Sequence, residues 1–257
     1  MKSFFYGVIL ALQFLTRIPV PMNVPWEKSV IKGALKSFSI VGLVIGGVLA
    51  ISYDLMSGSL PEWMIALAVL SLWVFLTGGL HLDGLMDVAD AIGSNASVDK
   101  KLAIMKDPQV GSFAVISFVF YILWKLALIY GLLVETSISS SLVISTLMII
   151  PSCSRLTALI LLFSLPTLKK EGLAYTWKAH LSKGDVAVAV LPLLIYLVFL
   201  PKFTFLLFAY LFYFFIVRSW IKKTFNGLNG DLLGATIEGG ELWGLLVLWI
   251  YFSYGMG

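Results

Sequence analysis

The chain is poor in what a water-exposed domain is built from. Only 12% of its 257 residues are charged, and it has two histidines and one cysteine; ordinary soluble domains carry about 25% charge. No stretch is polar enough and long enough to fold apart from the rest. That excludes a soluble enzyme on a membrane anchor and leaves residues 1–257 as one membrane-embedded domain. A single cysteine excludes an intrachain disulfide, and Cys153, inside an apolar run, reads as a small hydrophobe. A basic tail is missing too. The formal charge of +4 is spread over several loops, so nucleic acid is excluded as a partner.

What the chain does have is apolar sequence, 60% of it. A span needs about 20 mostly apolar residues. Allowing one embedded charge each, the pattern predicts helices near 35–56, 62–82, 110–133, 138–164, 185–200, 203–220 and 240–256. The expected fold is therefore all-α, a polytopic helical bundle in the lipid bilayer with about 7 transmembrane helices. An apolar segment, 3–21, precedes them. Arg17 and the Pro19-Val-Pro21 turn stand where a signal peptide would have its small-residue cleavage site, so the segment belongs to the mature protein. Whether it spans, re-enters or lies flat stays open, because Pro19 and Pro21 remove backbone donors where it ends.

Lysines and arginines cluster in four loops: Lys28, Lys32 and Lys36; Lys100, Lys101 and Lys106; Lys169, Lys170, Lys178 and Lys183; Arg218, Lys222 and Lys223. Short cytoplasmic loops carry such an excess, which predicts that these four face the cytoplasm. The same assignment brings Asp83, Asp87, Asp90, Asp107 and Asp231 to one side of the membrane. Gly42-xxx-Gly46 predicts close helix packing and nothing about activity.

The most informative run is Gly78-Gly-Leu-His81-Leu-Asp83-Gly-Leu-Met-Asp87-Val-Ala-Asp90-Ala-Ile-Gly93. Its acids are spaced i, i+4, i+7, so on a helix they fall within roughly 60° of one another. Like charges on one face repel, and a divalent cation would relieve them. Carboxylate oxygens are ligands for Mg²⁺, which takes one or two of them plus substrate phosphate oxygens. That combination points to phosphoryl or nucleotidyl transfer. His81 falls off the acidic face and reads as a hydrogen-bonded interfacial histidine. Residues 97–108 predict a short helix capped by Ser97 and stopped by Pro108, placing Lys106 to meet a phosphate and Asp107 to share a metal. Asn226-Gly-Leu-Asn229-Gly230-Asp231 predicts two turns whose amides cradle phosphate, with Asp231 as a ligand or base. Glu238 and Glu241 are expected at the N-terminus of the last span. Lys125 and Arg155 lie inside predicted spans, where a charge usually has a partner or a function. Lys125 is expected to pair with an acid or to help bind an anion, and Arg17 and Arg155 are candidate phosphate clamps.

Four blocks, in order, resemble a known family: Leu12-Gln-Phe-Leu-Thr16-Arg17-Ile-Pro19, the run 78–91, Met105-Lys-Asp-Pro-Gln-Val-Gly111 and Gly227-Leu-Asn-Gly-Asp231-Leu-Leu-Gly-Ala235. They look like cobalamin synthase, also called adenosylcobinamide-GDP ribazoletransferase. The resemblance implies a Mg²⁺-dependent enzyme of the prokaryotic inner membrane, with its active site facing the cytoplasm. It would join adenosylcobinamide-GDP to α-ribazole or its 5′-phosphate and release GMP. On that basis Asp83, Asp87, Asp90 and Asp107 are candidate metal ligands, and Asp90, Lys106 and Asp231 candidate catalytic groups. Arg17, Arg155, Lys106 and Asn229 are candidate substrate contacts. Other membrane-associated nucleotide-loop enzymes are implied as partners. Two alternatives remain from the residues alone. One is a CDP-alcohol phosphotransferase, whose spacing of a basic residue and downstream acids does not fit 78–93. The other is an ion-coupled transporter, disfavoured by acids at span ends instead of the midplane.

Overall fold

The protein, seen in a computed structural model, is described at residues 2–135 and 138–254. Helix α1 (Lys2–Leu15) packs on α2 (Lys28–Lys36), and α3 (Phe38–Met56) follows after a break at Ser37. Helix α4 (Glu62–Thr77) runs into α5 (Leu80–Gly93), and the short α6 (Val98–Ile104) leads to α7 (Ser112–Val134) and α8 (Ser140–Ser164). After α9 (Leu173–His180) and α10 (Lys183–Phe199), a 3-10 turn at Pro201–Phe203 opens α11 (Phe205–Phe225), and α12 (Gly230–Tyr254) completes the described chain.

The architecture is an all-α polytopic membrane bundle. Among the described residues, five helical segments are long and apolar enough to cross a membrane, and up to 7 if each of two bent pairs counts as one span. The expected span 35–56 is broken at Ser37, where the two helices meet. At 14 residues, α1 is shorter than any of those five segments, about 21 Å of helix at 1.5 Å per residue. It lies against α2 at Gly7 and Gly33, where an added Cβ on Gly7 would come within 2.4 Å of Gly33 backbone. The Gly42-xxx-Gly46 pair works as its spacing predicts, seating α3 directly on the backbone of α8 at Ser152 and Met148.

Two departures from the expected spans matter for function. The predicted span 62–82 stops at Thr77, because Gly78 and Gly79 take φ of +63° and +70°, a left-handed conformation that glycine adopts without steric cost. The chain turns by 88° there, so α5 leaves the line of α4 and lies across the ends of α7 and α12. The last helix also begins ten residues earlier than predicted, at Gly230; residues 255 and 256 of the expected span lie outside the described residues.

The earlier start corrects the placement of two acids. Glu238 and Glu241 are two to three turns inside α12 and buried. Glu241 binds Lys125 Nζ through Oε2 at 2.6 Å and Arg155 Nη1 through Oε1 at 2.7 Å, while Lys125 Nζ lies 3.3 Å from Glu238. Tyr121 donates its hydroxyl to Glu238 and accepts from Lys125 Nζ at 2.8 Å. Lys125 also sits 4.2 Å over the Trp73 ring. Two cations and two carboxylates on three helices thus neutralise one another in the bundle interior, as charges inside a membrane must.

Candidate active site at the α5–α12 crossing

Three of the sequence-predicted acids converge where α5 crosses the start of α12. The crossing depends on small residues. A Cβ on Gly84 would stand 2.8 Å from the Asp231 carbonyl oxygen and 2.9 Å from its Cα, and one on Gly234 would stand 3.2 Å from His81. This approach sets Asp83 and Asp87 beside Asp231. Burial, and then the charges of Asp83, Asp231 and Asp90, push the Asp87 carboxyl up from 3.8 to about 6. Carboxylates held together at such cost mark a site that a cation would relieve.

Asp90 is occupied otherwise. Its two carboxylate oxygens accept the backbone N–H groups of Gly111 at 2.6 Å and Ala114 at 2.8 Å. It therefore caps the N-terminus of α7, where a negative charge also meets the positive end of the helix dipole. A carboxylate engaged by two amides is poorly placed to serve as a base. Asp107 accepts only from the Gln109 amide, at 3.0 Å, in its own exposed loop.

The opposite wall is basic. Leu168 N–H donates to Leu228 O and Leu228 N–H to Pro166 O, at 2.9 and 2.8 Å. This clasp pins the segment after α8 to the turn before α12. It brings Lys169 to Lys106, close enough that Lys169 pushes the Lys106 ammonium below the ordinary lysine range. Lys106, Lys169, Glu171, Asn229 and Asp231 line one cavity of about 230 Å³, in which the two ammonium groups face two carboxylates. Two adjacent ammonium groups on an exposed rim form a ready anion site. Lys169 was not singled out from the sequence; the only signal was its place in a Lys-Lys pair just after Pro166.

Asn229 holds the turn together. Its Nδ2 donates to Asp231 Oδ2 at 2.7 Å and its Oδ1 accepts the Leu232 amide at 2.9 Å, which caps α12 and fixes the Asp231 rotamer. Arg17 packs its side chain against Gly78 at the α4–α5 elbow, with its backbone N–H on Leu76 O at 2.7 Å. Arg155 is fully buried on Glu241 and Pro151 O and does not line the cavity that holds Lys106 and Lys169.

A second cavity, of about 190 Å³, adjoins the first, sharing Ala174, Gly230 and Asp231, and is lined as well by His81, Asp83 and mostly apolar side chains. Among the described residues no group of three or more His, Cys, Asp or Glu is disposed to hold a metal unaided. A Mg²⁺ site completed by substrate phosphates asks for less, one or two carboxylates. The carboxylate oxygens of Asp83 and Asp87 fit that ion.

The chain was compared with known proteins. A family model described as Cobalamin-5-phosphate synthase matches residues 7–249. An adenosylcobinamide-GDP ribazoletransferase of Geobacillus sp. is 33% identical over 267 aligned positions covering 100% of both chains. Another, from Thiobacillus denitrificans, is 34% identical over 98% of each chain. A third, from Acinetobacter baumannii, is 35% identical over 90% of this chain and 92% of its own. No solved structure matches. With a family match across nearly its whole length, and relatives above 30% identity from end to end, the chain belongs to the Cobalamin-5-phosphate synthase family.

Proposed function

We propose that this chain is an adenosylcobinamide-GDP ribazoletransferase that works with Mg²⁺ held at Asp83 and Asp87. A ribazole hydroxyl attacks the phosphorus bonded to the cobinamide arm. A new P–O bond forms, the P–O bond to the second phosphorus breaks, and GMP leaves with that electron pair. The hydroxyl proton passes to Asp231, which Asn229 orients. The observation that carries this reading is the position of Asp231, which lines both the cavity that holds Lys106 and Lys169 and a mostly apolar one. A phosphate and an acceptor with an apolar base can therefore meet at a carboxylate.

Lys106 and Lys169 hold the pyrophosphate and stabilise charge developing on the departing GMP. Bound Mg²⁺ would offset the negative charge of the pyrophosphate against Asp83 and Asp87. Arg17, at the elbow that aims α5, adds a guanidinium for an outer phosphate oxygen. Asp90 holds α7 against α5. The site-bearing end carries the lysine-rich loops, which orients it to the cytoplasmic face of a prokaryotic inner membrane. There it would meet the enzymes that supply its two substrates.

The test is GMP release from adenosylcobinamide-GDP and α-ribazole by purified protein in detergent, with Mg²⁺ or with chelator. Turnover abolished by chelator and by Asp83→Asn is expected. Inactivity of well-folded protein with α-ribazole and with its 5′-phosphate would overturn the assignment.

A further inference from the structure

The apolar cavity beside Asp83 and Asp231 contains more than a hydrophobic wall. Three aromatic residues from three helices border it, Phe14 on α1, Phe38 on α3 and Trp177 on α9. The Trp177 ring lies 4.7 Å from Phe14 and 5.4 Å from Phe38. Trp177 is only 2% exposed, yet its Nε1–H has no hydrogen-bond partner. A buried indole N–H ordinarily finds an acceptor. Trp73 Nε1–H is unpartnered too, but of the two only Trp177 borders a cavity from which an acceptor could enter.

We infer that this cavity is the seat of the acceptor's base, a bicyclic heteroaromatic ring with one free ring nitrogen, and that Trp177 Nε1–H donates to that nitrogen. The inference rests on the ribazole transfer proposed above and adds to it the residues that choose the acceptor. Size agrees: an apolar cavity of about 150 Å³ takes a benzene ring, and this one, at about 190 Å³, has room for a larger ring. Polarity separates the candidates. Ribazole carries a dimethylbenzimidazole, whose edge is methyl and C–H apart from one free nitrogen, so one donor satisfies it. The guanine of the donor substrate presents several donors and acceptors, most of which would stay unpaired, at a cost for each, in a lining whose only polar side chains besides Trp177 are His81, Asp83 and Asp231. The corrinoid is far too large. A base seated here directs its ribose toward Asp83 and Asp231, while the pyrophosphate lies beyond Asp231 between Lys106 and Lys169. Trp177 is thus a specificity-determining residue that touches the acceptor without taking part in the chemistry.

The experiment compares wild type with Trp177→Phe, which keeps a ring and removes the N–H. KM is measured separately for α-ribazole and for adenosylcobinamide-GDP, each with the other saturating. The expected result is a rise of about five- to tenfold in KM for α-ribazole, as for loss of one hydrogen bond, with kcat and the other KM little changed. An indole riboside, which has C–H in place of the ring nitrogen, should be a poorer acceptor for wild type and an equal one for Trp177→Phe. A purely structural role would not produce that crossover. If Trp177→Phe does not fold, Ala158→Leu, which fills the cavity from α8, should raise the KM for α-ribazole alone. A change confined to the KM for adenosylcobinamide-GDP, or no change in either, would overturn the inference and leave the reaction assignment standing. If wild type shows no turnover, the reaction assignment fails instead. Equilibrium dialysis with radiolabelled α-ribazole then decides the cavity: binding weakened by Trp177→Phe supports it, and no binding overturns it.

Discussion

Replacing Gly84 with alanine tests the geometry on which the site depends. The new Cβ would lie 2.8 Å from the Asp231 carbonyl oxygen, whereas ordinary van der Waals contact begins at 3.4 Å. Both neighbours are backbone, so no side chain can swing away, and α5 and α12 have to separate by about 0.6 Å. Misplacement by about 1 Å can cost about a hundredfold in rate. A shift of about 0.6 Å at the carboxylates should therefore lower kcat/KM on the order of tenfold. Stability should fall by no more than about 2 kcal/mol. Overpacking costs about 1–3 kcal/mol, and alanine in place of glycine within a helix returns about 1 kcal/mol. Two controls grade the effect. Gly234→Ala meets His81 backbone at 3.2 Å, and Gly47→Ala meets nothing within 4 Å. The GMP-release assay should rank them Gly84→Ala worst, Gly234→Ala intermediate and Gly47→Ala at wild type, with melting in detergent changing little across the set. Gly84→Ala with wild-type turnover and an unchanged Mg²⁺ response would refute the claim that this close approach sets the carboxylate spacing.

The Asp87 carboxyl titrates near 6 in the folded chain against 3.8 ordinarily, so the folded state binds more protons than the unfolded one between those values. Metal-free protein should therefore lose stability as pH rises across that window and level off above it, while activation by Mg²⁺ should strengthen over the same range. Thermal scans and Mg²⁺ titrations should show both slopes, and both should flatten in Asp87→Asn. Asp90→Asn keeps one acceptor for the α7 amides, so it should cost about 1 kcal/mol of stability and retain most of its turnover. Loss of turnover out of proportion to melting would return Asp90 to the chemistry. Glu241→Gln leaves Lys125 and Arg155 without their shared carboxylate and should destabilise the bundle by about 3 kcal/mol or more, read as a lower melting temperature in detergent. An unchanged melting temperature would show that the buried charges are compensated elsewhere.

Much of this was legible in the sequence, and what was missed has local physical causes. Charge-free runs located the spans because a bilayer penalises each unpaired charge, and the i, i+4, i+7 spacing placed Asp83, Asp87 and Asp90 on one helix. Their division of labour was not legible, since the amides that engage Asp90 lie 21 and 24 residues downstream. Likewise, Glu238 and Glu241 looked like a helix start because their cations, Lys125 and Arg155, are on other helices. Their separation by three residues in fact puts them on one face of a continuous helix. The elbow at Gly78-Gly79 was present as a glycine pair, but an apolar count reads through it. Lys169 comes to Lys106 only through the clasp between Leu168 and Leu228, a contact across 60 residues that no local pattern encodes.

The buried charge cluster also bears on how the protein enters the membrane. Helix α12 is the least apolar of the five candidate spans and carries two glutamates near its middle. An acid at the centre of a lone helix costs about 2.5–3.5 kcal/mol to insert. During synthesis α7 and α8 emerge first and carry Lys125 and Arg155 into the bilayer ahead of their partners. Each half of the cluster is a poor insertion substrate alone, so α12 has to be delivered against a bundle that is already waiting. A chain stopped before α12 would keep two uncompensated cations in lipid, which gives quality-control proteases a clear mark of an unfinished molecule.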